Sequence, residues 1–304
     1  MSAIVYLGAV GRSGTTLLER VTATSPSFVS LGEMVHLWER GALGGEPCGC
    51  GRPIRECPFW SDVMERGFGG WQGLDASRIR QSQRTVDRNR YIPFLLWPRM
   101  AGSRYRAALA EFVDVLDRLY TAIGQVAGPG VVLVDASKHP SYYMVLKHMP
   151  SHDLRLLHIL RDPRGVAHSW AKSVQRPESA TGDDMEQLGP WRASARWSSH
   201  NVLFSLAGLR STRAVLRYEK FASDPDELGG VLTELTGDLD VTLPTFDDGS
   251  IELQVDHTVS GNPMRFTTGP IAIRPDDRWR SSMPRTPRLI VTLLTAPLRL
   301  GYRP

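Results

Sequence analysis

The chain has 304 residues, a length that fits one large α/β domain or two small ones, and no Ser/Gly-rich linker divides it. We therefore expect a single domain. The formal net charge is +4, and the 36 basic residues include only four lysines. Because this basic excess is small and scattered, the composition does not call for a nucleic-acid partner, whereas a few local arginines would serve a small anionic ligand.

Two apolar segments bear on the location of the protein. The N-terminal one is short, has no basic leader and runs directly into a glycine-rich turn, so it is unlike a signal peptide and predicts a cytoplasmic protein. The run LIVTLLTAPL, from Leu289, is too short to span a bilayer. It predicts a packed helix, with peripheral contact to a membrane surface as the alternative. The sequence does not set the oligomeric state.

Short apolar runs alternate with segments of helical spacing along most of the chain. In order, the sequence predicts a strand at 4–9, a helix from Thr15, a strand at 28–31, a helix from Met34, a long helix at about 105–127, strands VVLVDAS and LRLLHIL, a helix from Pro163, a helix at about 188–209 and strand RAVLRY. Continuous apolar strands separated by helices are typical of a parallel sheet covered on both faces. The expected fold class is therefore α/β, one three-layer domain with a central parallel sheet.

The segment IVYLGAVGRSGTTLLERV, residues 4–21, predicts a strand, a glycine-punctuated turn and the start of a helix. This order aims backbone N–H groups and the positive end of a helix at one point, which is the geometry of a phosphate cradle. The nucleotide-binding P-loop pattern places a lysine where this chain has Thr15. A basic residue, Arg12, lies inside the loop instead, so we expect an anion held by a guanidinium and backbone donors rather than a magnesium-bound triphosphate.

A second segment, LRLLHILRDPRGVAHSW at residues 154–170, has the same strand-to-helix pattern. Its apolar run ends at Leu160, and Pro163 stands where a first helical residue is expected. Arg161 then lies at the strand tip, and Ser169 follows about two helical turns later. Ligands of parallel sheets bind beyond the carboxyl ends of the strands, so this segment and the Arg12 loop are expected to meet in one crevice.

Together these segments resemble the sulfotransferases that use 3′-phosphoadenosine 5′-phosphosulfate (PAPS), above all the tyrosylprotein and carbohydrate branch. The resemblance implies a P-loop-like fold, PAPS as the donor and no metal. It also implies that Arg161 and Ser169 bind the 3′-phosphate of the donor. The loop that would grip the 5′-phosphosulfate comprises Arg12, Ser13, Gly14, Thr15 and Thr16.

Two later segments resemble parts of the same family. Tyr218, in LRYEKF, follows a strand and would approach the adenine; its alternative reading is an ordinary aromatic residue at a strand end. The segment HTVSGNPMRF, residues 257–266, is similar to the loop that closes over the 3′-phosphate, with Ser260, Gly261 and Arg265 as candidates. Its alternative reading is a loop without a ligand.

Sulfuryl transfer to a hydroxyl needs a base for the acceptor proton and a cation for the developing charge. Glu33 lies 21 residues after Arg12 and matches the glutamate base that the resemblance implies for a GE segment. Lys138 comes directly after the VVLVDAS strand and matches the family's lysine at the transferred group. His139 is the competing base, as in the cytosolic sulfotransferases, and His36 is a weaker candidate.

All three cysteines, Cys48, Cys50 and Cys57, lie within ten residues of one another. The spacing C-x-C-x6-C matches no usual zinc motif, and a metal would need a histidine as a further ligand. We therefore expect a local disulfide or a packed loop, and no metal site. The surrounding segment, about 41–100, is rich in Trp and Arg and predicts an insertion that shapes the acceptor pocket.

Two other functions remain open at this stage. A P-loop kinase or nucleotidase would use the cradle, but it would lack its lysine and would depend on Mg²⁺. A non-catalytic nucleotide-binding regulator would keep the cradle with no need for Glu33 or Lys138. If the protein is a transferase, its acceptor is a hydroxyl compound such as a carbohydrate, a glycolipid, a phenol or a secondary metabolite.

Overall fold

The structure is a computed structural model that describes residues 2–173 and 186–299. At its centre lies a parallel sheet of strand order β2-β3-β1-β4-β5. The strands are β1 (Ser2–Gly8), β2 (Phe28–Gly32), β3 (Val132–Asp135), β4 (His152–Leu160) and β5 (Arg213–Arg217). The expected α/β class is confirmed, and each strand predicted from the sequence lies in this sheet.

Strand β1 occupies the middle of the sheet because it is apolar on both faces. Ile4 and Tyr6 point into the core on one side, and Val5 and Leu7 point into the core on the other. None of these four side chains is more than 1% exposed. Burying a side chain of this size contributes about 1.5–3 kcal/mol, so the strand that carries the Arg12 loop is firmly fixed.

Helices cover both faces of the sheet. In chain order they are α1 (Thr15–Thr22), α2 (Pro58–Phe68), α3 (Ala76–Val86), α4 (Ile92–Leu96), α5 (Ser103–Ala127), α6 (Pro140–Leu146), α7 (Pro163–Trp170), α8 (Pro190–Ala207), α9 (Tyr218–Ser223), α10 (Glu227–Thr236), α11 (Arg278–Ser282) and α12 (Arg285–Arg299). A two-stranded antiparallel sheet lies between α10 and α11 and consists of β6 (Ser250–Leu253) and β7 (Gly269–Ala272).

The α-helix predicted from Met34 is wrong. That segment is a 3₁₀ turn (Met34–His36) followed by a π-helical stretch (Leu37–Leu43). The backbone N–H of Glu33 donates to the Val259 carbonyl at 2.7 Å, and that of Val35 donates to Ser137 Oγ at 3.0 Å. These tertiary hydrogen bonds position the start of the segment, and the turn keeps Glu33 beside the strand ends.

The insertion at about 41–100 packs into the main core. Its helices α2 and α3 lie against α5, which crosses one face of the sheet. Trp60, Val63, Met64 and Val86 are fully buried there. The single-domain expectation and the role of the insertion at an acceptor pocket stay predictions.

Of the two cysteine arrangements expected from the sequence, the described residues show the packed loop and not the local disulfide. Among the described residues, Cys48, Cys50 and Cys57 are free thiols rather than a disulfide. A histidine from the distant loop before β7, His257, lies beside them, and the four ligand atoms all fall within 4.8 Å of one another. The sequence shows the three cysteines but gives no sign that His257 meets them.

The C-terminal apolar run lies in helix α12, which packs on α7 and α8. Val291 is buried on the inner side, whereas Leu289 and Leu293 are about three-fifths exposed, at 59% and 63%. Within residues 2–173 and 186–299, no helix combines the length and hydropathy needed to cross a membrane.

Arg20 of α1 fastens the loop before β7 to the body of the protein. Its side chain is fully buried, and its Nε lies 2.8 Å from Asp256 Oδ2. The guanidinium also donates to three backbone carbonyls in this loop, those of Gln254, Met264 and Thr267. The Arg20 guanidinium therefore holds both ends of the loop at residues 254–267.

We expect Arg20→Met to lower the free energy of unfolding by about 3–5 kcal/mol, because Asp256 would be left as a buried charge without its partner. Chemical denaturation followed by circular dichroism measures the change. Arg104→Met, at an exposed position on α5, is the matched control and should stay within about 0.5 kcal/mol of the parent. Equal stabilities of the two variants would show that Arg20 does not hold the loop.

Candidate active site

An open cleft of about 780 Å³ lies beyond the carboxyl ends of β1, β3, β4 and β5. This is the edge at which parallel α/β sheets bind ligands. Most of the predicted site residues line it: Arg12, Gly14, Thr15, Thr16, Glu33, His36, Lys138, His139, Arg161, Ser169, Tyr218 and Gly261. The two segments that carry the family resemblance are therefore brought together in one place.

Three residues that the sequence predicts to bind the donor substrate do not line the cleft. Ser13 is fully buried beneath its loop, and Ser260 Oγ accepts a hydrogen bond of 3.0 Å from Arg40. Arg265 is 1% exposed and donates to the carbonyls of Pro47 and Thr258 at 3.0 and 3.2 Å. The 3₁₀ turn Pro263–Phe266 places the Arg265 side chain inside the protein, and its contact with a phosphate stays a prediction.

The loop between β1 and α1 has the backbone shape of an anion cradle. Arg12 and Gly14 both have positive φ, 71° and 83°. At Gly14 a side chain is excluded, because a Cβ would lie 2.5 Å from Cε2 of Tyr218. Trp170 Nε1 donates to the Gly11 carbonyl at 3.0 Å and fixes the other end of the turn.

Arg12 is poised to hold an anion. Its Nε and Nη2 are buried and have no hydrogen-bond partner among the described residues. Burial lowers the pKa of Arg12, and the nearby Glu33 carboxylate acts in the opposite direction. Buried donors without acceptors cost free energy, and an anionic ligand with several oxygens would satisfy them.

Arg161 joins the two segments. Its Nη1 donates to the Arg12 carbonyl at 2.8 Å, and its guanidinium lies 4.4 Å from the ring centroid of Tyr218. Asp276 pairs with its Nη2 at 3.2 Å. The tip of β4 is therefore in direct contact with the cradle after β1, and Ser169 on α7 faces the same cleft.

Glu33 forms the centre of an ionic cluster. Lys138 Nζ lies 2.7 Å from its Oε1, and His36 Nε2 lies 3.5 Å from its Oε2. Burial alone would raise the pKa of Glu33, but Lys138 and then His36 outweigh it and lower that pKa to about 2. The His139 ring lies 5.7 Å from that of His36, and burial lowers the pKa of both histidines.

Basic side chains outnumber acidic ones around the cleft. Among the described residues, seven Arg or Lys residues line it, against four Asp or Glu residues. The basic residues are Arg12, Arg40, Arg88, Lys138, Arg161, Arg196 and Arg278, and the acidic ones are Glu33, Asp87, Glu186 and Asp276. An excess of three positive charges in a concave site favours a multiply charged anionic ligand.

Several lining residues were missed in the sequence. Trp170 ends the helix of the second segment, and its ring lies 5.6 Å from the Arg12 guanidinium. Asp276 and Arg278, which form an ion pair of 2.7 Å, lie beyond the part of the chain that shows the resemblance. Trp170 could have been predicted as a lining residue, because it follows Ser169 directly in the sequence. For Asp276 and Arg278, the sequence shows only a run of charged residues, which does not indicate a site.

The comparisons with known proteins concern the fold. No protein-family model and no curated protein matches the sequence. The sulfotransferase domain from the curacin biosynthetic pathway is similar in structure, with a TM-score of 0.53, 15% identity and 98% of both chains covered. The sulfotransferase domain of the Synechococcus PCC 7002 olefin synthase has a TM-score of 0.47 at 17% identity, over 98% of this chain and 94% of its own. Sulfotransferase STF9 from Mycobacterium avium has a TM-score of 0.41 at 15% identity, over 78% and 64%. The chain therefore shares the fold of the curacin-pathway domain.

The pair of Lys138 and Glu33 gives a direct electrostatic test. We expect Lys138→Met to raise the pKa of Glu33 by about 1–3 pH units, because burial then acts with less opposition. Carboxyl carbon-13 NMR of labelled glutamate measures the titration. Lys220→Met, at an exposed lysine that pairs with Glu227, should leave Glu33 unchanged. A pKa of Glu33 that stays near 2 in Lys138→Met would contradict the arrangement.

Proposed function

We propose that the protein is a sulfotransferase that moves a sulfuryl group from PAPS to a hydroxyl of an acceptor, with Glu33 as the base. One observation carries the proposal: two buried nitrogens of Arg12 have no acceptor in the described part of the chain, and Arg12 lies in the same cleft as Arg161 and Ser169. The fold shared with a sulfotransferase domain supports it.

PAPS, the donor substrate, carries the sulfuryl group on its 5′-phosphate, which is the leaving group. In the proposal, Arg12 and the backbone N–H groups at the start of α1 hold the 5′ end of the donor. Arg161 and Ser169 hold the 3′-phosphate, and the Tyr218 ring, already packed on Gly14 and Arg161, supports the adenine side. The donor is thereby gripped at both charged ends.

Glu33 accepts the proton of the acceptor hydroxyl as its oxygen attacks sulfur. A new S–O bond forms, the bond between sulfur and the bridging phosphate oxygen breaks, and 3′-phosphoadenosine 5′-phosphate leaves. Arg12 and Lys138 are placed to stabilise the negative charge that develops on the bridging oxygen. Atoms and charge balance without a metal or a redox partner.

Lys138 links the two halves of this reaction. A carboxylate with a pKa of about 2 is a weak base. When Lys138 turns from Glu33 toward the anionic donor, the carboxylate loses the positive charge that lowers its pKa most, and its basicity rises. The base would thus be activated only when donor is bound, which limits proton abstraction without a donor.

The acceptor is proposed to enter from the other end of the cleft. Asp87 and Asn89, both from the insertion, line that end and bind Ser141 through its Oγ at 2.6 Å and its N–H at 3.2 Å. His139 also lines the cleft, and Asp87 and Glu33 both act against the burial that lowers its pKa. Such a polar lining fits a hydroxyl-bearing acceptor.

Binding without a metal separates this proposal from a P-loop kinase. We expect 3′-phosphoadenosine 5′-phosphate to bind more tightly than ATP, and Mg²⁺ to leave its affinity unchanged, because the cradle has an arginine and no P-loop lysine. Isothermal titration calorimetry with each nucleotide, with and without Mg²⁺, measures this. Tighter binding of ATP that requires Mg²⁺ would favour the kinase.

The 3′-phosphate contact can be tested by comparing two ligands. Ser169→Ala should weaken binding of 3′-phosphoadenosine 5′-phosphate about 10- to 100-fold, the usual effect of one hydrogen bond to a charged group. Binding of AMP, which has no 3′-phosphate, should be unaffected. Ser199→Ala, at an exposed position on α8, is the control. Equal losses for the two ligands in Ser169→Ala would contradict the assignment.

The base is tested by turnover with an acceptor found by screening hydroxyl compounds with labelled donor. We expect Glu33→Gln to lower kcat about 10²- to 10⁴-fold while donor affinity stays nearly the same. Glu227→Gln, at a half-buried position on α10 outside the cleft lining, is the control. If His139→Ala abolishes turnover and Glu33→Gln does not, the base is His139.

A further inference from the structure

A cluster of soft ligands lies outside the proposed catalytic machinery. His257 Nδ1 lies 3.2 Å from Cys57 Sγ and 3.8 Å from Cys48 Sγ, and Cys50 Sγ lies 3.7 Å from Cys57 Sγ. Cys48 and Cys57 are fully buried, and Cys50 and His257 are partly so. Three cysteines and one histidine form one of the common ligand sets of structural zinc sites.

The spacing of these atoms matches tetrahedral coordination. Metal–sulfur bonds of about 2.3 Å and metal–nitrogen bonds of about 2.0 Å put two sulfurs about 3.8 Å apart, and a sulfur and a nitrogen about 3.5 Å apart. The Cys50–Cys57 distance of 3.7 Å and the two His257 distances of 3.2 and 3.8 Å agree with these values.

The backbone around the cysteines forms a tight turn that directs them to one point. The N–H of Cys48 donates to the Arg52 carbonyl, and the N–H of Gly51 donates back to the Cys48 carbonyl, both at 2.8 Å. Gly49 lies against the His257 loop, where a Cβ would be 2.4 Å from Thr258 Oγ1. The cysteine turn and the His257 loop are therefore packed so closely that only glycine fits at position 49.

Neighbouring side chains fix the histidine and the two ligand-bearing segments. The Phe59 ring stacks on the His257 ring at 5.2 Å, and Trp60 Nε1 donates to the His257 carbonyl at 2.9 Å. Arg265 donates to the carbonyls of Pro47 and Thr258, the residues next to Cys48 and His257. Outer contacts of this kind orient metal ligands.

We propose that Cys48, Cys50, Cys57 and His257 bind one zinc ion in a structural site. Four protein ligands close the coordination shell, which leaves no position for a substrate. The site joins segments about 200 residues apart, since His257 and Cys57 are separated by 200 positions. Such a link restrains a very long loop of chain in the folded protein.

The zinc site would also support the proposed catalytic base. Two residues after His257, the N–H of Val259 donates to the Leu31 carbonyl at 2.8 Å, and the Val259 carbonyl accepts from the Glu33 N–H at 2.7 Å. Gly261 follows, and a Cβ there would lie 3.3 Å from Glu33 Oε1. The metal holds the loop that forms one wall around Glu33.

The native chain tests the site without any assay of catalysis. Protein purified under reducing conditions without chelator should contain about one zinc ion per chain, as measured by inductively coupled plasma mass spectrometry. A mercurial that modifies the thiols should release it, as a chromogenic chelator shows. Exchange for Co²⁺ should give the visible bands of a tetrahedral ion and a thiolate charge-transfer band.

Variants assign the ligands. Cys57→Ser and His257→Gln should lose most of the metal and unfold at a lower temperature. His148→Gln, at a histidine whose ring is hydrogen-bonded to the Leu95 carbonyl away from the cysteines, should retain the metal. If a variant fails to fold, zinc release and the Co²⁺ spectrum of the native chain still decide.

Three results would overturn the zinc site. One is a reduced native chain that contains no zinc and takes up neither Zn²⁺ nor Co²⁺. Another is a mass two hydrogens lower in protein kept from air, which would show a disulfide. The third is full zinc content in His257→Gln. None depends on whether the protein transfers sulfuryl groups, so this proposal and the proposed function can fail separately.

Discussion

The candidate site depends on the hydrogen bond from Arg161 to the Arg12 carbonyl. It ties the end of β4 to the turn after β1, and these strands are neighbours in the sheet. Because the carbonyl rather than the side chain is used, the Arg12 guanidinium stays available inside the cleft. The same arginine stacks on Tyr218, which packs on Gly14. One buried cation thus organises both sides of the cradle.

Backbone strain is concentrated in the same region. Among the described residues, the non-glycine positions with positive φ are Arg12, Lys138, Asp248 and Ser260. Arg12 and Lys138 line the cleft, and Ser260 precedes Gly261 on its wall. Each such conformation costs about 1–3 kcal/mol and persists only where neighbours hold it in place. Strand ends buried on both faces provide that restraint, so the backbone at Arg12 and Lys138 is set before a ligand arrives, and only the Lys138 side chain has to turn from Glu33 toward the donor.

The sequence predicted the parts of the site that depend on local order. A strand, a turn and a helix place Arg12 and Arg161 at strand tips, and parallel pairing then brings those tips together. The sequence could not predict the features that depend on contacts between distant residues. His257 meets three cysteines about 200 positions away, and Arg265 turns inward to the Pro47 carbonyl. The segment after Glu33 likewise follows its tertiary hydrogen bonds rather than its helical spacing.

Most of these distant contacts concern one loop, residues 254–267, and they fix its position in the fold. Residues 254–267 are held by Arg20 from α1, by Arg265 from within, and by the cysteine cluster through His257. Between these anchors, Val259 pairs with the end of β2 and Gly261 faces Glu33. A loop that carries a wall of the cleft would otherwise be among the least stable parts of a fold. Buried charge and the cysteine–histidine cluster fasten this loop, so the backbone around Glu33 keeps a fixed position while the Lys138 side chain turns toward the donor in the proposed reaction.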